Sequence, residues 1–523
     1  FRQDGYQSPL TFLRENGTRT QIPLVHTVTG NATYEPSDHD ELSIDGLYSQ
    51  RREWESQAIT YQTLDSALVL DDLADRHSRD VNHEGSADGA LSYKHRFANK
   101  GHSFSSDLRF EEHFEGGPTD ILDQTLWPTS GPATTTLQQT RTVWTHSSTT
   151  SLRVDYAQPL VRDLRFETGY RGYLERIRTT QDIKNYDAAQ SAMITDPLQA
   201  SDFAYDALVH DAYAMLADRI GSFQLQAGIR AEHAGTTFDL HTRDQRYDNP
   251  YNSLFPSGLV SFALDDAHQL KLSYSTRIRR PDDPDQLDPT PHALDALNIS
   301  VGNPHLRPEY IRALELGFQR TGNRVTVQLT PFYRHSFDAL RSVRTIDTAG
   351  VTTLSYANIA TTDSYGTDVT VALGSGGRLS GFVGGSAYHQ RNNASNLDPS
   401  LSASAYGWSV RTNTACRLSR TVDAQALVSY VGRTTVTQGW NAPRTRVSFG
   451  IREKLLADRM SVTLRILDPF STARERSATL DPAFMQINDR TRPIRGLQLS
   501  ATWIFGRPNK KNGDQIELNT SGQ

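Results

Sequence analysis

The sequence of 523 residues is poor in cysteine and contains no long apolar run. Its single cysteine, Cys416, excludes an internal disulfide framework and a zinc site built from paired cysteines. No apolar stretch approaches the ~18 residues of a membrane-spanning helix, which excludes a helical membrane protein. A membrane β-barrel is compatible with this composition, because only every second strand residue faces lipid. The formal net charge of −6 is mild and mixed in sign, so nothing indicates a nucleic-acid partner.

The sequence also lacks the patterns of a catalytic or cofactor site. Its 16 histidines are scattered and never form His-Glu-x-x-His, and the glycine-rich residues 374–377 lack the Lys-Ser/Thr ending of a phosphate loop. We therefore expect no enzyme, no metal centre and no cofactor. The carboxylates of Asp282, Asp283, Asp285 and Asp288 could bind calcium through hard oxygens. Their irregular spacing favours a solvated acidic loop instead.

Alternation of apolar and polar residues is the main pattern that the sequence does contain. Leu270, Leu272 and Tyr274 alternate with polar residues, as do the apolar residues between Leu497 and Phe505. This period of two is typical of strands with one apolar face. Short and long turns alternate along the chain, and the alternation rule gives about nineteen strands. The pattern predicts an all-β fold, a transmembrane antiparallel up-and-down β-barrel with short periplasmic turns and long extracellular loops.

Residues 252–318 carry a series of short motifs in a characteristic order. They are Phe255-Pro256-Ser257, Arg279-Arg280-Pro281, Gly302-Asn303-Pro304, Leu306-Arg307-Pro308-Glu309 and Glu315-Leu316-Gly317-Phe318. Together they resemble the barrel of TonB-dependent outer-membrane receptors, in the branch known as the outer-membrane β-barrel family. Residues 226–232 and 364–368 also resemble parts of this barrel.

The resemblance implies a location in the bacterial outer membrane, with membrane lipid, a small solute or oligomer ligand, and the TonB system as partners. It implies active uptake of a scarce solute such as a ferric siderophore, cobalamin, a glycan or a peptide. TonB would act through a plug domain, which we do not find in this chain. Roughly three of the twenty-two strands expected for such a receptor are also missing, so we expect the chain to start inside the barrel.

The sequence predicts one large unit with two flanking segments. Residues 1–21 are expected to be a loop or a partial strand, residues 22–506 the transmembrane β-barrel, and residues 507–523 a polar C-terminal tail. Within the barrel, residues 57–80 have a partly helical pattern and are interpreted as an extended outer loop.

Candidate ligand-binding residues lie on the predicted interior face or in the outer loops. Arg230, Glu232, Asp368 and Arg452 are expected to face the interior, where they could contact a polar solute or form cross-strand salt bridges. Trp440 could stack on a ligand or belong to an aromatic girdle. A further set, from the connection that follows Arg280, could form a preorganised wall of a ligand vestibule or a brace against other loops: Arg280, Pro281, Gly302, Asn303, Pro304, Pro308 and Glu309.

Two other functions remain compatible with the sequence. The first is an outer-membrane porin or assembly barrel without a plug. The second is a soluble β-rich protein that binds carbohydrate. The sequence upstream of Phe1 would discriminate between a receptor, which needs a plug-sized region there, and a porin, which needs only a signal peptide.

Overall fold

The computed structural model describes most of the chain. The described residues are 2–4, 11–127, 136–281, 284–293, 298–347, 350–374, 377–481, 484–491 and 495–504. The predicted C-terminal tail, residues 507–523, and Phe505 at the expected end of the last strand lie outside them.

The described residues form a single 27-stranded sheet. Nineteen of these strands have eight or more residues and make up the wall of the barrel. Their bounds are β2 Thr11–Tyr34, β3 Asp40–Leu64, β4 Leu70–Arg96, β5 Ser103–Trp127, β6 Thr136–Pro159, β7 Arg165–Asp187, β9 Ser201–Ile220, β10 Phe223–Leu240, β11 Gln245–Ala263, β12 His268–Arg279, β15 Glu309–Thr321, β16 Val325–Ile346, β17 Thr352–Leu373, β18 Leu379–Asn393, β19 Ala403–Arg417, β20 Val422–Val431, β23 Arg444–Leu455, β24 Met460–Leu467 and β27 Gly496–Trp503.

The remaining elements are short; β1 precedes β2, and the others lie in the connections. They are β1 Arg2–Asp4, β8 Ala192–Thr195, β13 His292–Ala293, β14 Asn298–Ser300, β21 Thr434–Val436, β22 Gly439–Asn441, β25 Arg474–Leu480, β26 Met485–Thr491, the four-residue helix α1 Pro284–Leu287, and the 3₁₀ turns His241–Arg243 and Pro399–Leu401. The part of the chain that the structure describes holds no helix that is both long and apolar enough to cross a membrane.

Each long strand pairs antiparallel with the next long strand along the chain, which is the up-and-down order predicted from the sequence. The connections alternate between short turns, such as residues 221–222, and longer segments, such as residues 280–308. The all-β barrel architecture and the count of about nineteen strands are therefore confirmed. At the rim that carries the longer connections, β1 pairs with both β2 and β26, and so brings the first and last parts of the sheet together.

Two strand boundaries differ from the expectations. Residues 57–80 are not an extended loop, because β3 continues to Leu64 and β4 begins at Leu70, with continuous pairing between them. The partly helical pattern of this segment is overridden by the ladder of backbone hydrogen bonds to the neighbouring strands. Strand β2 begins at Thr11, ahead of the expected boundary at residue 22.

The outward face of the wall is apolar over the length that a membrane strand requires. In β10 and β11 the exposed residues include Phe223, Ile229, Leu254 and Val260. From Phe223 to His233, the first histidine on this face, the strand runs about ten residues, which matches the 9–11 residues of a tilted membrane strand. His233 is hydrogen bonded to Asn252 (2.8 Å). It marks the end of the apolar band that lies nearer the rim with the longer connections.

Histidines mark the same boundary of the apolar band on other strands. His210 is hydrogen bonded to Tyr170 (2.7 Å), His335 to Asp363 (2.8 Å) and His389 to Ser404 (2.8 Å). Polar and aromatic side chains of this kind occupy the interface between lipid and water in outer-membrane barrels.

Candidate functional site

The connection between β12 and β15 covers residues 280–308, and its described residues 281, 284–293 and 298–308 fold over the inner face of the wall. In β9, Leu208 and Leu216 are exposed on the outward face, whereas Phe203, Tyr205 and Ala207 are buried on the opposite, inner face. Two leucines of the connection, Leu287 and Leu306, pack into the same cluster as these inner residues. We call these described residues, 281, 284–293 and 298–308, the mouth loop, since they lie inside the rim of the barrel.

A compact apolar core fixes the mouth loop to the wall. A cluster of this size is uncommon in a barrel interior that is otherwise polar, and its burial stabilises the loop in one position. Its buried members are Ile177, Phe203, Tyr205, Ala207, Phe238, Leu240, Leu287, Leu306 and Leu340, with Tyr247 and Tyr356 packed against them.

The first end of the mouth loop is held by Arg280. Its guanidinium forms an ion pair with Glu232 of β10 and donates a hydrogen bond from Nε to Tyr251 Oη (2.6 Å). The Glu232 side chain is only 3% exposed. A buried carboxylate needs such a partner, because an isolated charge out of water is strongly unfavourable.

The second end is held by Glu309, whose side chain is also buried. Glu309 Oε2 accepts a hydrogen bond from the Leu340 backbone N–H (3.2 Å) and lies 3.4 Å from the Arg341 guanidinium. Arg279 approaches the same carboxylate more loosely, at 3.8 Å.

The Gly302-Asn303-Pro304 motif forms a turn near the end of the mouth loop, ahead of β15. The Gly302 N–H donates to the Asp288 carbonyl (2.7 Å), and a Cβ at position 302 would lie 2.6 Å from the Asp288 backbone. Only glycine fits this approach. Asn303 Nδ2 donates to the Tyr356 carbonyl (3.1 Å), and Asn303 Oδ1 accepts from the His305 N–H (3.0 Å). The motif therefore ties the loop to β17.

A second backbone connection joins the loop to β17. Strand β14 pairs in parallel with the start of β17, and the Val301 N–H donates to the Leu354 carbonyl (2.8 Å). Asn358 then bonds both backbone groups of Arg307, accepting from its N–H (2.9 Å) and donating to its carbonyl (2.8 Å). Pro281 and Pro304 are buried, and Pro308 is half-buried, between these contacts. A small cavity lined by all three prolines lies beneath the loop.

The other candidate residues are distributed along the interior wall and the rim. Arg230 lies over the Phe255 ring at 4.5 Å, next to Glu232. Asp368 of β17 lies 3.6 Å from Arg334, and Arg452 of β23 lies 3.4 Å from Asp423. Trp440 is in the short strand β22, beneath the guanidinium of Arg433 at 4.6 Å.

The candidates therefore do not converge on one point. Arg230, Glu232 and the mouth-loop residues lie together, whereas Asp368, Arg452 and Trp440 lie on other strands with partners of their own. Ion pairs between neighbouring strands account for the contacts of Asp368 and Arg452, as one of the two interpretations of the sequence expects.

One residue of the acidic stretch behaves differently from the expected solvated loop. Asp288 is 3% exposed and is bonded to protein groups. It accepts from Ser201 Oγ (2.8 Å) and from the Thr290 N–H (2.8 Å), and it contacts His292 Nε2 (3.2 Å). Asp282 and Asp283 lie outside the described residues. Within the described ranges, no cluster of three or more His, Cys, Asp or Glu residues could hold a metal ion.

Gln181, Ser201 and His292 are functional candidates that sequence reasoning missed. Gln181 and His292 are 111 positions apart in the chain. Alternation predicts which face of β7 and β9 a residue occupies, but it gives no information about which loop covers that face. The Asp288-Pro289-Thr290 sequence was the available local signal, because Asp often accepts a hydrogen bond from the N–H two residues later.

Comparisons with known proteins agree with this architecture. The ferric-catecholate import receptor Fiu from E. coli K12 is 9% identical, with 93% of this chain and 81% of the receptor covered at a TM-score of 0.56. The copper transporter OprC is 11% identical, with 93% and 80% covered at 0.59. The pyoverdine receptor FpvA from Pseudomonas aeruginosa PAO1 is 12% identical, with 94% and 78% covered at 0.57. Identities this low show a shared fold.

A search of curated proteins gave no match. Residues 95–503 match the model of the outer membrane protein beta-barrel family, whose members are barrels and not enzymes. The match covers most of the chain and most of the described strands. The chain belongs to the outer membrane protein β-barrel family.

Proposed function

We propose that this barrel is the outer-membrane part of an active, TonB-dependent uptake system for a scarce solute. The observation that carries the proposal is the mouth loop, which is anchored inside the rim of a wide, polar-lined barrel. A loop held in one position can shape a binding surface without the entropy cost of ordering it when a solute binds. The solved structures of similar fold, which include import receptors and a copper transporter, support the same function.

The solute belongs to the class of ferric siderophores, cobalamin, glycans or peptides that such receptors take up. The interior offers hydrogen-bonding and charged groups of both signs. A recess of about 660 Å³ is lined by residues that include Asp107, Arg109, Arg171, Asp211 and Arg230. The TonB system would act through a plug domain that interacts with this wall. A soluble carbohydrate-binding protein is excluded by the family, and a porin remains the alternative outcome.

Energy dependence of uptake distinguishes a receptor from a porin. The natural full-length protein is expressed in cells that lack their own receptors, and uptake is measured for radiolabelled ferric catecholate, cyanocobalamin, a maltodextrin and a peptide. We expect uptake of at least one probe that is abolished by an uncoupler and by deletion of TonB. Uptake of small sugars that is insensitive to both treatments would establish the porin instead.

The proposed orientation places the mouth loop outside the cell and the short turns in the periplasm. Two exposed positions test it in a C416S background: Leu198 (75% exposed), in the connection between β8 and β9, and Val161 (72% exposed), in the short turn between β6 and β7. L198C is expected to react with a membrane-impermeant maleimide on intact cells, and V161C only after permeabilisation. The reverse result would invert the orientation.

A further inference from the structure

A row of polar side chains crosses the outward face of the wall from β12 to β19, and the proposed function does not use it. Cross-strand pairing places one residue of each long strand in this row: Thr276, Arg312, His335, Asp363, Arg391 and Ser404. We call these six residues the boundary row. His335 follows Val325, the first residue of β16, by about ten positions, so the row lies where the apolar band ends.

The two arginines of the boundary row point away from the interior of the barrel. Ala313, next to Arg312, is buried on the inner face, whereas Leu314 is exposed. Asn392, next to Arg391, is likewise buried. Since successive strand residues point to opposite faces, both guanidinium groups lie on the outward face, at the boundary between lipid chains and head groups.

The charges of the boundary row do not balance. Asp363 is its one carboxylate, and the Oδ1 atom of Asp363 is bonded to Tyr333 Oη (2.7 Å) and to His335 Nδ1 (2.8 Å). Arg312 lies over the Phe337 ring, 5.0 Å from its centroid. Among the residues that the structure describes, no carboxylate forms an ion pair with Arg312 or Arg391. Two guanidinium groups against one carboxylate leave an excess of positive charge, which favours an anionic partner.

Outward arginines on another part of the wall have carboxylate partners. Arg176 of β7 follows Phe166 by about ten positions and so lies at the same boundary. It pairs with Asp206 (3.6 Å), and its neighbour on the same face, Arg178, pairs with Asp202 (2.9 Å). The uncompensated charge between β15 and β18 is therefore a local property of the boundary row.

A row of rings lies directly beneath these charges, one step further into the lipid. Cross-strand pairing aligns its members as Tyr274, Leu314, Tyr333, Tyr365, His389 and Tyr406. The four tyrosines are exposed, and Tyr406 is 80% exposed. Amphipathic rings settle at the interface between acyl chains and head groups, so one lipid can contact the rings with its chains and the arginines with its head group.

We propose that the boundary row binds the phosphorylated head group of a membrane lipid, whose acyl chains lie along the four tyrosines. Arg312 and Arg391 are three strands apart, about 14 Å at the usual strand spacing, so their long side chains can hold two phosphates of one head group. A guanidinium binds phosphate through two parallel N–H···O bonds. The row lies on the side of the longer connections, which is the outer leaflet in the proposed orientation.

Native mass spectrometry of the purified full-length protein in detergent tests the site, with diphosphoryl lipid A as the probe. The parent is expected to bind it, and the double variant R312Q/R391Q about thirtyfold more weakly, since one arginine near an anionic lipid surface contributes roughly a fivefold factor. R312K/R391K keeps both charges and should stay within about fivefold of the parent. A heat-dependent shift in gel mobility verifies that each variant is folded.

The matched control is R176Q/R178Q, which removes two outward arginines that already have carboxylate partners. Its affinity for lipid A should remain within about twofold of the parent. Inorganic phosphate should not displace the lipid, because it has no acyl chains to contact the tyrosines. If R312Q/R391Q does not fold, the single variants R312Q and R391Q repeat the measurement, each with an expected loss of about fivefold.

Three results would overturn the site. Unchanged affinity in R312Q/R391Q would show that these arginines do not bind the lipid, and equal losses in both glutamine pairs would show only a diffuse attraction to positive charge. Complete displacement by inorganic phosphate would indicate a site for free anions instead of a lipid. The measurement requires neither solute nor TonB, so it can fail while the uptake experiment succeeds.

Discussion

Replacing Leu464 with arginine is expected to destabilise the folded barrel by about 2–4 kcal/mol, the cost of a cation at the bilayer midplane. Leu464 lies in the middle of β24 and pairs with Ile451 and Leu499, which are also exposed on the outward face. Urea unfolding of the protein in lipid vesicles, followed by tryptophan fluorescence, measures the change.

Thr463 is the matched control, one position along the same strand. It pairs with Arg452 and Ser500 on the interior face. Thr463→Arg is expected to cost about 1 kcal/mol or less, and the main contribution is repulsion from Arg452 across the strand pair. Equal costs at positions 463 and 464 would contradict the assignment of the two faces, since a one-residue step must exchange lipid for water.

The contrast between these positions shows why so much of the wall is predictable from the sequence. Strand residues alternate strictly between two faces, so the order of Leu464, Arg465 and Ile466 is enough to assign each to lipid or interior. Short connections make each strand pair with the next, which determines the topology from strand order alone. The extent of β3 and β4 was less predictable, because their outer halves leave the lipid and no longer need an apolar face.

The contacts of the mouth loop were less predictable from the sequence than the wall, for a different physical reason. The motifs at Arg280, Gly302 and Glu309 were recognisable, but their partners lie on distant strands. Glu232 is 48 positions from Arg280, and Asn358 is 51 positions from Arg307. Such contacts depend on how the loop folds back, and residue spacing does not encode that path. Asp288 illustrates the consequence: its acidic neighbours suggested solvent, whereas its environment is a buried network.

The second large effect is expected at Arg280, where substitution by leucine should cost about 3–5 kcal/mol. The change removes the ion-pair partner of the buried Glu232, and Glu232 also pairs across the sheet with Asp211, a residue of like charge. It also removes the hydrogen bond to Tyr251. The same urea unfolding measurement in vesicles gives the cost.

Arg279 provides a control with the same chemistry one residue away. Its side chain is 56% exposed, against 26% for Arg280, and its distance to Glu309 is 3.8 Å. Glu309 also keeps Arg341 as a partner when Arg279 is removed. Arg279→Leu should therefore cost about 1 kcal/mol or less, as exposed ion pairs usually do.

A double variant separates the loss of an ion pair from the isolation of a charge. If the uncompensated carboxylate is the main cost of Arg280→Leu, then adding Glu232→Gln should recover a large part of the lost stability, because no buried charge is left unpaired. A double variant as unstable as Arg280→Leu alone would mean that the Arg280 side chain acts through packing and its bond to Tyr251. An Arg280→Leu variant no less stable than Arg279→Leu would show that the first end of the mouth loop is not held by this pair.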